Sequence, residues 1–175
     1  MAGSRYPLEG ISKGITYRHY TSTPTVAFGS GLSYTTFSYS NLRLNASTIG
    51  PCDSVSVQVD VSNDGSVDSD EVTQLYLSTP NASVPAPRLR LADFQRVHIA
   101  AGQTTTVSLV LGPRSHSVVT ENVPGWSSKF WQPTVVVEAG EVSLHVGGGQ
   151  PGVAAGVMEG SVHVTATGAV ATCPY

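Results

Sequence analysis

The chain has 175 residues, enough for one domain with a hydrophobic core, and only 12% of them are charged, giving a formal net charge of −3. This balance offers no basic surface to a nucleic acid and no acidic tract of the kind found in disordered tails. No apolar run is long enough to cross a membrane as a helix. Abundant glycine, proline, serine and threonine are typical of an all-β protein of the extracellular type.

The N-terminal residues 1–27 show no hydrophobic period, and residues 28–37 (FGSGLSYTTF) combine two glycines with three aromatic residues. The glycines permit backbone angles that other residues avoid. The aromatic side chains are large apolar bodies that need a surface to pack against. Residues 28–37 therefore predict an ordered loop that docks on another surface, and a simple entry loop to a β-domain is the alternative.

From residue 54 onward the sequence predicts short strands with recurrent turn signals. Residues 54–61 alternate valine with polar residues, which is the period of a half-buried strand. Gly65 then supplies a turn residue that tolerates a positive φ. Further strands are predicted at residues 72–77, 94–99, 104–111, 135–137 and 142–146. This series, which lacks an amphipathic helix, favours a β-sandwich.

Two later regions are less regular. An insertion at residues 113–133 contains Trp126 and Trp131, whose rings are candidates for contact with a sugar. The alternative, which we favour, is that they cap the sandwich or dock on a neighbouring domain. Residues 149–175 are rich in glycine and alanine and are predicted as a tail, with a strand-like run at 161–167 that returns to a sheet edge.

The two cysteines and two tripeptides bear on the cellular compartment. A bond between Cys52 and Cys173 would tie the tail to the domain, and two free thiols are the alternative. The sequence NAS occurs at Asn45 and again at Asn81, and it is an acceptor pattern for N-linked glycosylation. Such tripeptides often occur by chance, so they do not establish secretion by themselves.

The acidic residues provide no paired carboxylates for acid–base catalysis. Asp70 and Glu71 are neighbours on a predicted strand, so their side chains point to opposite faces and cannot meet one substrate. We interpret Glu71 as a hydrogen-bonding framework residue that acts with Gln74 and Tyr76. The aspartates match no calcium loop and the histidines are dispersed, so neither a metal nor a cofactor is predicted.

Short segments along the chain also carry a family resemblance. They are residues 14–20 (GITYRHY), 28–37, 59–65 (VDVSNDG), 71–77 (EVTQLYL), 87–94 (PRLRLADF) and 101–103 (AGQ). In this order they are similar to G-R-T-Y-R-F-Y, F-G-x-G-L-S-Y-T-x-F, V-x-V-x-N-x-G, E-V-x-Q-L-Y-V, P-x-K-x-L-x-G-F and P-G-E of the C-terminal fibronectin type III-like domain of glycoside hydrolase family 3. The first segment resembles the plant and fungal β-xylosidase branch, from which Ile15 and His19 depart. Asp93 replaces the usual glycine of the fifth segment.

The resemblance implies a fibronectin type III-like, immunoglobulin-like β-sandwich of about seven strands at residues 28–148. Residues 1–27 would then link it to an upstream catalytic domain. The family contains β-glucosidases, β-xylosidases and α-L-arabinofuranosidases, whose nucleophilic aspartate and acid/base glutamate lie in other domains. We therefore expect no catalytic residue in this chain, which would stabilise the catalytic domains of an exo-acting enzyme in plant-type polysaccharide (xylan) breakdown.

The same resemblance implies which residues meet the catalytic domains and which hold the frame. The docking residues are Tyr17, Arg18, Tyr20, Phe28, Gly29, Gly31, Leu32, Tyr34 and Phe37. The framework residues are Gly65, Glu71, Gln74, Tyr76, Phe94 and Gly102.

The resemblance also implies an extracellular or cell-wall location, although the first twenty residues lack the basic start and apolar stretch of a signal peptide. We expect a leader further upstream in a longer protein, and a cytosolic orphan domain is the alternative. Two other functions remain open. One is a freestanding carbohydrate-binding or adhesion module that holds plant-type polysaccharide through Trp126 and Trp131. The other is a small hydrolase that depends on Glu71.

Overall fold

The computed structural model describes residues 16–120 and 134–173. Eleven β-strands lie in these two ranges, and a 3-10 turn, Val170–Thr172, follows the last of them. The strands are β1 (Phe37–Leu44), β2 (Thr48–Ile49), β3 (Val55–Asn63), β4 (Ser69–Ser78), β5 (Arg90–Ile99), β6 (Thr104–Leu111), β7 (Val118–Thr120), β8 (Thr134–Val137), β9 (Gly140–Gly147), β10 (Met158–Val164) and β11 (Gly168–Ala169).

The strands form two larger sheets that enclose one core. The three-stranded sheet has the order β1-β3-β6, and the five-stranded sheet has the order β2-β10-β9-β4-β5. β7, β8 and β11 form a small third sheet. Neighbouring strands are antiparallel except for the short pair of β2 and β10. The predicted all-β, fibronectin type III-like sandwich is confirmed.

The alternation in β3 explains how this strand joins the core. Its four valines are fully buried, while the residues between them are partly exposed. The valines pack with buried aliphatic side chains of the opposite sheet, including Leu75, Leu77, Leu144 and Val162. Each fully buried side chain of this size contributes about 1.5–3 kcal/mol through removal of apolar surface from water.

β1 follows a different pattern because its backbone is interrupted in the middle. Asn41 has a φ of 52°, and the pairing with β3 shifts register between Ser40 and Arg43. Consequently Phe37 and Tyr39 face the core before the interruption, and Leu42 and Leu44 face it afterwards. The strand keeps its apolar side chains on one face although their spacing in the sequence changes phase.

The segment predicted as a tail contributes a strand inside the larger sheet. β10 pairs with β9 on one side and with β2 on the other, and its Val162 and Val164 are fully buried. At Gly160 an added Cβ would lie 3.3 Å from Leu42 Cδ2, so the glycine makes room for a side chain of β1. The sandwich therefore extends beyond residue 148.

A disulfide joins Cys52, in the turn before β3, to Cys173 after the last strand. Their Cα atoms are 5.0 Å apart and the sequence separation is 121 residues. The bond holds the C-terminal turn against Pro51, since the Cys173 sulfur also lies 3.8 Å from the Pro51 carbonyl oxygen.

Asp93 occupies a bulge between β4 and β5. Leu75 pairs with Asp93 and Tyr76 with Leu91, so one extra residue is accommodated in β5. The Asp93 carboxylate accepts hydrogen bonds from the backbone N–H groups of Phe94, at 2.9 Å, and Val110, at 2.8 Å. Because β6 is an edge strand, Asp93 satisfies a backbone donor that would otherwise face solvent.

Candidate docking surface

Two aromatic residues of the N-terminal segment lie on the outer face of the five-stranded sheet. The rings of Tyr17 and Phe28 stack with centroids 4.3 Å apart and planes inclined by 7°. Tyr17 also meets the ring of Tyr76 edge-on at 6.1 Å, and its hydroxyl accepts a hydrogen bond from Leu91 N at 3.1 Å. The segment is therefore fixed to β4 and β5.

Gln74 and Tyr76 are polar residues on β4, and both are buried beneath this segment. The Tyr76 hydroxyl donates to Gln74 Oε1 at 2.7 Å. Gln74 Nε2 donates to the carbonyls of Gly29, at 2.9 Å, and Gly148, at 3.1 Å. Burial, and secondarily the neighbouring Tyr17, raises the pKa of Tyr76 to about 12, so its hydroxyl stays protonated as a donor.

Gly29 is required at the point where the loop crosses Gln74. Its φ is +79°, and an added Cβ would overlap Gln74 Oε1 and lie 2.9 Å from Tyr76 Oη. Both the backbone angle and the lack of space exclude a side chain here. Gly31, by contrast, lies in open space, where an added Cβ would meet no atom within 4 Å.

Gln150 is a second amide that holds the loop, and the sequence did not single it out. It is buried, and its Nε2 donates to the Phe28 carbonyl at 2.8 Å. Gln74 and Gln150 thus hold the carbonyls of two consecutive residues, Phe28 and Gly29. Since Gln150 follows a run of glycines at the start of the predicted tail, no sequence pattern distinguishes it.

Asn63 fixes the other end of the loop. Its Oδ1 accepts from Thr35 Oγ1 at 2.5 Å and from Gly65 N at 3.1 Å, and its Nδ2 donates to the carbonyls of Val67 and Ile99. A Cβ at Gly65 would overlap Thr35 Oγ1, which explains the glycine at this position. Asn63 belongs to the turn signal of residues 63–65, but the four hydrogen bonds of its side chain were not predicted.

Between these two attachments the loop exposes apolar side chains. Leu32 and Tyr34 are fully exposed, and Phe28 is half exposed. Val72 and Phe94, on the outer face of β4 and β5, are 38% and 61% exposed. Phe28, Leu32, Val72 and Phe94 line one shallow groove of about 520 Å³. We call Phe28, Leu32, Tyr34, Val72 and Phe94 the apolar patch.

Charged residues border the apolar patch on the same sheet face. Asp70, which lines the groove, accepts from Arg96 Nε at 2.8 Å and lies 2.6 Å from His98 Nδ1. The hydrogen bond with His98, followed by that with Arg96, holds the pKa of Asp70 below its usual value. The ionised carboxylate of Asp70 is thus engaged by two neighbouring side chains.

Glu71 lies on the opposite side of β4 from Asp70 and contacts the other sheet. Its Oε1 accepts a hydrogen bond from the Tyr39 hydroxyl at 2.5 Å. Burial, and then Glu71 itself, raises the pKa of Tyr39 above its ordinary value. Glu71 therefore ties β4 to β1, whereas Gln74 and Tyr76 form a separate network on the outer face.

The remaining predicted residues are distributed as follows. The Arg18 carbonyl accepts from Arg88 N at 2.8 Å, and Tyr20 lines a neighbouring groove of about 720 Å³. Phe37 packs partly against the core, and Gly102 has a φ of +68° in the turn between β5 and β6.

Asn45 and Asn81, the two candidates for glycosylation, are exposed. Trp126 and Trp131 lie outside the described residues.

Residues 16–120 and 134–173 contain neither a cluster of metal-binding side chains nor a membrane-spanning helix. Within these ranges, no three or more His, Cys, Asp or Glu side chains are grouped so that they could hold a metal ion. No helix in the same part of the chain has the length and apolar character needed to cross a membrane.

Comparison with known proteins identifies relatives of this fold. A fibronectin type III-like domain model matches residues 71–150. The beta-xylosidase of Formosa agariphila is 36% identical over 138 residues, which is 79% of this chain and 18% of that protein. Thermostable beta-glucosidase B of Acetivibrio thermocellus is 30% identical over 162 residues, which is 91% of this chain and 20% of that protein.

Solved structures agree with these sequence matches. Beta-glucosidase 3B from Thermotoga neapolitana superposes with a TM-score of 0.68 at 27% identity, covering 84% of this chain and 18% of that one. The beta-glucosidase from Kluyveromyces marxianus gives a TM-score of 0.67 at 27% identity, covering 87% and 17%. The chain spans about a fifth of the length of its relatives. Its fold and its sequence together place it in the family of C-terminal fibronectin type III-like domains of family 3 glycoside hydrolases.

Proposed function

We propose that this chain is a non-catalytic domain that docks on the catalytic domains of a secreted, exo-acting family 3 β-glycosidase and stabilises them. The observation that carries the proposal is the apolar patch, which an ordered loop forms together with Val72 of β4 and Phe94 of β5. Exposed apolar side chains that gather on one face of a soluble protein often mark a surface that binds a partner.

The attachments of the loop support docking rather than chance exposure. Gln74 and Gln150 hold its first residues, and Asn63 holds its last residues through Thr35. A loop that is already ordered loses little conformational freedom when it binds, so more of the contact energy appears as affinity.

The relatives support a catalytic domain as the partner. They are named as beta-xylosidase and beta-glucosidase, and this chain matches only about a fifth of each. The remainder of such a protein provides the enzyme's other domains. A terminal β-linked xylose or glucose in a plant-type polysaccharide is accordingly the proposed substrate of the whole protein, with xylose favoured by the resemblance of residues 14–20.

The geometry of the carboxylates supports a role without catalysis. Retaining glycosidases place two carboxyl groups about 5–5.5 Å apart on either side of one bond. Here Asp70 is engaged by Arg96 and His98 on the outer face, and Glu71 is bonded to Tyr39 on the inner face.

The disulfide supports an extracellular or cell-wall location for the whole protein. Bonds of this kind persist in oxidising compartments and are rare in the reducing cytosol. We propose that the protein is exported by a leader that precedes this segment.

Binding to a catalytic partner tests the proposal. The partner is the Formosa agariphila beta-xylosidase from which the matched segment has been removed, and the full chain is titrated into it by calorimetry. We expect association that raises the melting temperature of the enzyme. The double variant Leu32→Ser/Tyr34→Ser should weaken binding by at least about tenfold, since buried aromatic anchors dominate interface energies.

Val110→Ser is the matched control, because Val110 is also an exposed apolar residue but lies on β6 of the other sheet. Equal binding by the double variant and the control would contradict the role of the apolar patch in docking.

The native protein gives an independent readout. An antibody against this chain should detect a band several times larger than 18.2 kDa that hydrolyses aryl-xylosides or aryl-glucosides. An inactive band at 18.2 kDa would contradict the proposed parent.

A further inference from the structure

We propose that Asn45 carries an N-linked glycan, attached at the end of the sandwich remote from residues 28–37, which we call the docking loop after its proposed role. The site is the connection between β1 and β2, in which the tripeptide Asn45-Ala46-Ser47 is an acceptor pattern. Ala46 packs against the core, whereas Asn45 and Ser47 are exposed. The inward alanine therefore fixes the connection with the asparagine facing solvent.

The hydrogen bonds of Asn45 leave its reactive atom available. Asn45 Oδ1 accepts from the backbone N–H of Ser56 at 2.9 Å, and Asn45 N donates to the Ser56 carbonyl at 3.2 Å. Because Ser56 N is a donor, the side-chain atom facing it is the carbonyl oxygen, so Nδ2 is directed away from β3.

The chemistry of attachment preserves this arrangement. Nδ2 forms a bond to the anomeric carbon of an oligosaccharide donated by a lipid-linked oligosaccharyl diphosphate. The lipid diphosphate leaves, and Nδ2 loses one proton. The side-chain carbonyl is retained as an acceptor, so the glycosylated side chain keeps its hydrogen bond to Ser56.

The position of Asn45 also separates the glycan from the apolar patch. β1 runs for eight residues between Phe37, at the end of the docking loop, and Leu44, next to Asn45. At about 3.3 Å per residue, this places Asn45 roughly 25 Å from the loop. β1 belongs to the three-stranded sheet, while Val72 and Phe94 lie on the outer face of the other sheet.

Asn81 offers a less favourable acceptor. Ser83 in its tripeptide donates its hydroxyl and its backbone N–H to Glu138, so that segment is closed onto β8 and β9. Pro80 and Ala82, on either side of Asn81, line a groove together with Arg88. The backbone N–H of Arg88 donates to the Arg18 carbonyl and so holds the N-terminal segment in place. A glycan there would emerge beside the segment that supports the docking loop.

The Cys52–Cys173 disulfide bears on the compartment, and on this point the inference rests on the export set out under the proposed function. Disulfides persist in oxidising compartments, and the compartment in which eukaryotic cells glycosylate asparagine is one of them. The modification is therefore compatible with the redox environment in which this domain folds.

Translation of the full chain behind a cleavable leader into eukaryotic microsomes tests the site. The membrane-protected product is analysed by peptide mass spectrometry before and after treatment with peptide N-glycosidase. We expect the peptide containing Asn45 to carry a glycan in the untreated sample, and an aspartate at that position after treatment.

Two variants separate the glycan from the hydrogen bond. Ser47→Ala removes the acceptor pattern and keeps the bond from Ser56 to Asn45, so the glycan should vanish with no loss of stability. Asn45→Asp removes the glycan and keeps an acceptor oxygen. An unmodified Asn45 in the protected product, or a glycan that persists in Ser47→Ala, would overturn the proposal. Leu32→Ser/Tyr34→Ser should keep its glycan, so this result is independent of docking.

Discussion

At the scale of single residues, buried amides decide how the docking loop is held. Asn63 uses both lone-pair directions of its Oδ1 and both protons of its Nδ2, so its side chain is fully satisfied at 1% exposure. Gln74 and Gln150 act in the same way on two adjacent carbonyls. A buried amide that loses its partners leaves unsatisfied groups, which costs about 1–3 kcal/mol for each group.

Substitution of Gly29 tests the close approach of the loop to β4. Gly29→Ala should lower the free energy of unfolding by about 1–3 kcal/mol, because its Cβ meets Gln74 and Tyr76 and its φ is strained. Denaturant unfolding measures the change. Gly31→Ala, in open space, should stay within about 0.5 kcal/mol of the original chain. Equal effects of the two substitutions would contradict this account.

His116 predicts a pH dependence of stability. It is 2% exposed, and burial, with a further contribution from Arg90, holds its pKa below the ordinary value of 6.5. Below pH 6.5 the unfolded chain therefore binds a proton that the folded chain resists. The free energy of unfolding should fall as the pH decreases from 6.5, by up to about 1.4 kcal/mol per pH unit.

Urea unfolding between about pH 5 and 6.5 avoids the titration of most carboxylates, but all five histidines of the chain can titrate there. A variant at His116 is therefore compared with the original chain to separate its contribution. His116→Gln, which is neutral throughout, should show a shallower slope over the same interval. An unchanged slope would assign the pH dependence to other groups.

At the scale of elements, the sequence predicts strands whose periodicity is uninterrupted. β6 has the predicted bounds of residues 104–111, and β3 differs by only one or two residues at each end. β1 was not predicted, because the bulge at Asn41 changes the phase of its apolar residues. In β10, Gly160 weakens the sequence pattern of a strand. The reason for a glycine there is its contact with Leu42 of β1, which is visible only in the folded structure.

For the docking surface too, the sequence predicts what local chemistry determines and misses what distant contacts determine. The composition of residues 28–37 predicts an ordered loop with exposed aromatic residues, and local chemistry is sufficient for that inference. Gln150 is more than 100 residues away from Phe28, so only the folded topology shows that the two are partners.

Asp93 provides a test at the edge of the three-stranded sheet. Asp93→Ala would leave the N–H of Val110 without its carboxylate partner and remove the bond that shapes the bulge. We expect the unfolding free energy to decrease by about 1–2 kcal/mol, and the protein to associate more readily through the uncovered edge of β6. Asp93→Asn, which keeps an acceptor oxygen, should recover most of the loss. Denaturant unfolding measures the stability and light scattering measures the association. Equal behaviour of the two variants would contradict the role of the acceptor oxygen of Asp93.

At the scale of the whole molecule, the two sheets, the tail strand β10 and the disulfide form one unit. The cross-link closes a loop of 121 residues, which in the chain-entropy model is worth about 4–5 kcal/mol. The variant Cys52→Ser/Cys173→Ser should be destabilised by that amount in denaturant unfolding. Cys52→Ser alone should show a similar loss, because either change removes the bond. A double variant as stable as the original would show that the tail is held by β10 alone.

The cross-link also determines how the protein responds to mechanical load. When tension is applied at the two ends, force passes directly from Cys52 to Cys173 and bypasses the polypeptide between them. About 400 Å of contour length is therefore hidden from stretching. The part before Cys52, which contains β1 and the docking loop, stays free to extend. A pull transmitted from a neighbouring domain would peel Phe28, Leu32 and Tyr34 away from Val72 and Phe94, which lie on the shielded strands and keep their place.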